Sequence, residues 1–386
     1  MAKILALLIS AAAGLAADQA STPGAERWPL WEAYADQFIS AEGRVIDYLP
    51  EKHRESGLST SEGQAYGLFF ALVADDRARF DLLLSWTENN LAQGDLGATL
   101  PAWKWGRTED GDFAVIDDNA ASDADMWIVY ALLEAARLWC EPRYEQLARR
   151  LSAQIVEHEL VELPKLGPMV LPGPTGFVLD EHTWRLNPSY LPIFKLRRFV
   201  SAELPGPWRG VLNSALVVNR ESARGGFVPD WIAYRESEGF IPCPKKGSLG
   251  SYDAIRSYLW PALTSDDDPT KEALLKQVSG LFRYWNETGR IPERIDTAEG
   301  APLPGDAPPG FFLALLPTVQ QLGTRHQYDS LKNALDGMKH GDLYGAAPKY
   351  YDQNLAMFAI GFTEKRFRFS ADGRLKPRWS KRCSSP

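Results

Sequence analysis

The sequence predicts an all-α fold, a closed double-layered barrel of six helix pairs with a few short strands in its loops. Three observations predict it. Apolar residues recur at helical spacing in twelve segments bounded by turn signals. These segments pair across short connections. No residue-level repeat runs along the chain, as the rival reading, a solenoid, would require.

The segments lie at 27–41, 59–74, 76–92, 122–139, 142–158, 188–202, 206–221, 252–264, 268–287, 309–322, 324–338 and 350–361. The second and third meet at Asp75-Asp76. The fourth and fifth meet at Cys140-Glu141-Pro142, where Pro142 suits a first helical turn. Two stretches break the pattern. Residues 164–180 mix Pro and Gly with apolar residues and read as a short hairpin or a long loop. Residues 224–250 carry Gly225-Gly226, Trp231 and Gly247 to Gly250, and long loops between helix pairs make natural cleft walls.

Residues 1–20 read as a secretory signal: Lys3, an uncharged apolar run from Ile4 to Ala17, then small residues. The run is short for a membrane span. The expectation is a periplasmic or secreted protein whose residues 21–370 form one barrel domain, followed by a basic, solvated tail at 371–386. A net charge of −8 without a basic stripe argues against nucleic acid as a partner. Cys140, Cys243 and Cys383 allow one disulfide without saying which. Five scattered histidines offer no metal-ligand spacing, so no metal and no cofactor are expected.

Four carboxylates stand at predicted helix starts: Glu62 in TSEGQAYG, Asp123 and Asp125 in ASDADMW, and Asp253 in GSYDAIR. If the inner helices run parallel, these starts gather at one end and the acids meet in one cleft. A purely structural reading competes. Ser59 to Glu62 has capping-box spacing, Ser122 to Asp125 is its Asp analogue, and acids in a first turn offset the helix dipole. Gly63 and Gly67 weigh against capping alone. Each costs about 1 kcal/mol inside a helix, and together they mark one face that something approaches closely. Arg256, three residues after Asp253, can steady a carboxylate or a water beside it. Trp103 and Trp105 flank Lys104 in a loop, Trp184 precedes Asn187-Pro188-Ser189-Tyr190, and flat rings outside helices can stack on sugar faces. Trp86, Trp127, Trp139 and Trp260 sit on apolar helix stripes and read as core. No G-x-S-x-G, G-x-G-x-x-G or Walker A loop occurs.

At these residues the chain resembles glycoside hydrolase family 8, from about Trp28 to Phe362. The most specific stretch is ASDADMWIVYALLEAARLW at 121–139, which departs at Val129, where the family usually has Ala. The resemblance implies an (α/α)6 barrel and an inverting endo-β-1,4-glucanase. It assigns Glu62 as general acid and Asp253 as general base. Asp123 would grip the sugar at the cleavage point, Tyr190 in NPSYLP would hold the attacking water, and Arg256 would position that water. Trp105, Asp125, Trp184 and Tyr351 are the implied substrate contacts. The implied substrate is a β-1,4-glucan, with the cellulose synthase complex as candidate partner. Inverting pairs stand roughly 6.5–9.5 Å apart to admit a water. Glu62 must keep its proton near working pH, which burial and a neighbouring Asp123 favour and the helix dipole opposes. The family also holds xylanases, lichenases and chitosanases, though the Asp253 segment favours a glucanase. A glucan-binding protein without catalysis would need the stacking rings but not the carboxylates.

Overall fold

A computed structural model describes residues 27–47 and 57–380. Its α-helices are α1 Pro29–Phe38, α2 Ser61–Val73, α3 Arg77–Leu91, α4 Ser122–Trp139, α5 Pro142–His158, α6 Ile193–Ser201, α7 Trp208–Ser222, α8 Ile255–Leu263, α9 Lys271–Gln277, α10 Gly280–Thr288, α11 Pro309–Leu322, α12 Arg325–Gly337 and α13 Tyr350–Thr363.

Burial sorts them into two layers. Every residue of α2 except Glu62 is buried, all of α8 is buried, and α4 is buried without a break from Ser122 to Ala135. A helix apolar all round belongs in an interior. By contrast α5 buries the stripe Tyr144, Ala148, Leu151, Ser152 and Ile155, and α12 buries only Leu331 and Leu335. One-sided stripes mark outer helices. The inner ring is α2, α4, α6, α8, α11 and α13. The first five each have an outer partner next in sequence, and α1 covers α13. The fold is thus the expected (α/α)6 barrel.

Aromatic rings fill its centre. Phe358 of α13 meets Tyr66, Phe69 and Phe70 of α2, Trp127 of α4 and Trp260 of α8, with centroids 4.7–5.3 Å away. Three inner helices therefore converge on one fully buried side chain of a fourth. Phe358→Ala should cost about 3–5 kcal/mol of stability, measured by denaturant unfolding.

The helix turns are as expected. Asp75 and Cys140 each take a left-handed conformation at φ 57° and 56°. Asp76 caps α3 by accepting from the Arg79 N–H, and Pro142 opens α5. Cys140 is disulfide-bonded, Cys243 is a buried free thiol, and Cys383 lies outside the described residues, as do residues 1–20.

Four expectations need correction. The segment 268–287 is two helices, because Gly280 sits on the backbone of Gly226 so tightly that a Cβ there would stand 2.5 Å from the Gly226 carbonyl oxygen. The segment 188–202 breaks after the 3-10 turn Pro188–Tyr190, since Pro192 drives the residue before it out of helical geometry. Trp103 and Trp105 lie not in a loop but in the strand Ala102–Arg107, paired with Ser59–Thr60 and Phe113–Ala120. Finally, 371–380 is no solvated tail. Strand Leu375–Pro377 pairs with Phe367–Phe369, Phe369 stacks on Phe194 at 4.0 Å, and the Trp379 indole donates to the Leu72 carbonyl. The hairpin packs against α2, α4 and α6.

Both long loops carry strands. Gly167–Val170 makes a hairpin with Leu160–Leu163. Val178–Asp180, Thr183–Leu186, Ile232–Arg235 and Gly239–Pro242 form a four-stranded antiparallel sheet beside the barrel mouth.

Candidate active site

The starts of the inner helices do gather at one end. Glu62 is the second residue of α2, Asp123 the second of α4, and Asp253 sits in the turn that leads into α8. Arg256, 2% exposed, joins them. Its Nη1 donates to Glu62, to Asp123 Oδ2 at 3.1 Å and to the Tyr66 hydroxyl at 3.1 Å. Its Nη2 donates to Asp253 Oδ1 at 2.9 Å and to Ser189 Oγ at 3.1 Å. One buried cation thus holds three carboxylates from the starts of three inner helices.

The capping explanation for these acids fails. Thr60, not Ser59, caps α2, and Ser59 instead bonds the Arg44 guanidinium and the Val45 carbonyl. At α4 the cap residue is Ala121, with no side-chain bond. The close approach flagged by Gly63 and Gly67 is real. A Cβ on Gly63 would lie 3.0 Å from the Tyr350 hydroxyl, and one on Gly67 3.2 Å from Leu83. Tyr350 thereby reaches Glu62, donating to Oε1 at 3.4 Å.

Burial pushes the Glu62 carboxyl up to about 7, against the pull of Arg256 and with help from Asp123 and Asp253. The opposing helix dipole is worth about 0.3–1 kcal/mol, less than one pKa unit, so burial wins. Asp253 is pushed up to about 6, again by burial, opposed by Arg256 and aided by Asp230 and Asp123. Its side chain remains 33% exposed, open to water from the cleft. Between these values Glu62 holds a proton while Asp253 is ionised, the split an acid–base pair needs. Asp230 fixes the Asp253 turn: its carboxylate accepts from the Ser251 and Ala254 N–H groups at 2.8 Å and from Ser251 Oγ at 2.6 Å.

The remaining residues divide. Tyr190 ends the 3-10 turn, with the Arg256 guanidinium 5.5 Å over its ring and Trp231 at 6.3 Å. Tyr351 donates to the Tyr252 carbonyl at 2.7 Å and packs on the Tyr252 ring, which is exposed. Trp105 stacks on Phe113 at 5.3 Å beneath the Arg44 guanidinium. Trp184 packs on Tyr234, and the ring that reaches Tyr190 is Trp231, just before the strand Ile232–Arg235. Asp125 is corrected: it is 0% exposed, faces Glu159, and cannot touch a substrate in the cleft. Tyr66, Ser189, Asp230, Trp231 and Tyr350 complete the site. Tyr66 stood in the acid-bearing turn, Ser189 in NPSYLP, and Asp230 and Trp231 in the long loop at 224–250; nothing local in the sequence marked Tyr350. Among the described residues no group of His, Cys, Asp and Glu could hold a metal ion, and no helix is long and apolar enough to cross a membrane.

A helical barrel whose mouth carries a proton-holding acid, an ionisable second carboxylate and flanking aromatic rings has the make-up of a glycoside hydrolase. The chain belongs to glycosyl hydrolases family 8, whose model matches residues 2–365. It is 44% identical over 379 residues to an endoglucanase of Xanthomonas axonopodis pv. citri, covering 98% of this chain and 95% of that protein. It is 40% identical over 365 residues to an endoglucanase of Escherichia coli K12, covering 95% of each. The crystal structure of an endo-1,4-D-glucanase from Vibrio fischeri matches with a TM-score of 0.83 at 36% identity, over 92% of this chain and 99% of that one.

Proposed function

We propose that this glycoside hydrolase is an endo-β-1,4-glucanase that cleaves with inversion. The observation that carries the reading is the cluster of Glu62, Asp123 and Asp253 on Arg256 at the barrel mouth. Glu62 protonates the leaving oxygen. Asp253 takes a proton from a water that attacks the opposite face of the sugar. Tyr190 and Arg256 orient that water, and Asp123 grips the sugar at the cleavage point. Tyr351 and Trp105 contact neighbouring sugars, with Tyr252 and Trp231 as further rings beside the carboxylates.

On carboxymethyl cellulose, viscosity should fall well ahead of the release of reducing ends. A proportional rise of reducing ends with little viscosity loss would mean end-directed cleavage. Proton NMR of a short oligoglucan digest should show the α-anomer first; initial β-anomer would exclude inversion. A panel including xylan, mixed-linkage glucan and chitosan tests the polymer preference.

The same reading puts the enzyme in the periplasm or outside the cell, supported by Lys3 and the apolar run to Ala17. The cellulose synthase complex is the partner it points to. Cell fractionation with N-terminal sequencing tests the first, and co-purification from cellulose-producing cells the second.

A further inference from the structure

Asp125 and Glu159 lie behind the site rather than in it. They are 0% and 1% exposed. Asp125 stands in the first turn of α4. Glu159 follows the last residue of α5, its N–H bonded to the Ile155 carbonyl and its own carbonyl accepting from the Leu171 N–H at 2.8 Å. The two carboxyl groups face each other, each acting on the charge of the other. No N–H or O–H of the surrounding protein reaches any of the four oxygens. The charged groups facing them are Asp123 on α4 and, for Asp125, Lys195 on α6. Lys195 is fully buried, donates to the Asp123 main-chain oxygen at 3.3 Å and lies over the Trp127 ring.

Two buried carboxylates facing each other without a donor would be uncompensated like charges, which a protein interior does not support. A proton held between them supplies the donor that the surrounding protein does not. We propose that Asp125 and Glu159 share a single proton, and that this carboxyl–carboxylate bridge fastens the end of α5 to the first turn of α4 so as to position Asp123 in the cleft. Burial pushes both groups well above the usual carboxylate range, in keeping with a retained proton. Asp125 lies two residues beyond Asp123, about 200° around the helix. A hold on its buried side therefore fixes the turn whose other side presents Asp123. The inference rests on Asp123 gripping the sugar.

Infrared difference spectra test the proton. Taken above pH 8, where Glu62 is ionised, wild type minus Asp125→Asn and wild type minus Glu159→Gln should each show the C=O band of a protonated carboxyl. Both amides keep a donor for the bridge, so kcat/KM should stay within about threefold of wild type. Glu159→Ala removes the bridge and should lower kcat roughly tenfold or more with KM little changed, as a displaced catalytic group does. Absence of the C=O band overturns the shared proton. Wild-type kcat in folded Glu159→Ala overturns the positioning role. Asp123→Asn separates the two readings: wild-type kcat there would remove the role of Asp123, while the infrared result stands on its own.

Discussion

Glu62→Gln should lower the rate on soluble cellulose roughly 10²–10⁴-fold, the usual worth of a positioned general acid. The protein should fold normally, since the side chain is 21% exposed and Gln keeps both its volume and an acceptor for Arg256. An aryl cellobioside with a good leaving group needs no proton, so Glu62→Gln should recover most of its activity there. Asp253→Asn should lose as much on cellulose and recover nothing on the activated substrate, because the attacking water still lacks its base. Equal recovery in both variants would reverse or void the assignment. In wild type, kcat/KM should rise as Asp253 loses its proton near pH 6 and fall as Glu62 loses its own near pH 7. A narrow bell between these values is the expected profile.

Arg256→Met should be damaging in a second way. The cation is buried and bonded to all three acids, and removing one member of such a network costs about 3–5 kcal/mol. Unfolding by denaturant measures this loss. Arg256 also lowers the pKa of both Glu62 and Asp253, so without it both rise. Asp253 would then stay protonated at pH 6–7, where wild type works. Residual activity should recover toward alkaline pH, where Asp253 ionises and Glu62 still holds its proton. Arg256→Lys keeps a charge but not the two-nitrogen fork, and should fall between Met and wild type. An unshifted profile in Arg256→Met would remove the guanidinium from the electrostatics of the site.

Much of the barrel was legible because helical periodicity, turns and caps are local. The turns at Asp75 and Cys140, the inner helices of unbroken apolar residues and the acids at three helix starts all lie within a few residues of their cause. The parallel inner ring then brings Glu62, Asp123 and Asp253 together without further instruction. Other features depended on partners distant in the chain. Ser59 has the spacing of a cap, yet Arg44 takes its hydroxyl, and Thr60 caps the helix instead. The break at Val278-Ser279 answers to Gly226, some fifty residues earlier. Trp103 and Trp105 gain strand geometry only by pairing with Ser59–Thr60 and Phe113–Ala120. Asp123 and Asp125 look alike in the motif, but 3.6 residues per turn sends them to opposite sides of α4. Which side meets the cleft is set by the packing of α4 between α2, α5 and α6, and a motif carries no record of that rotation.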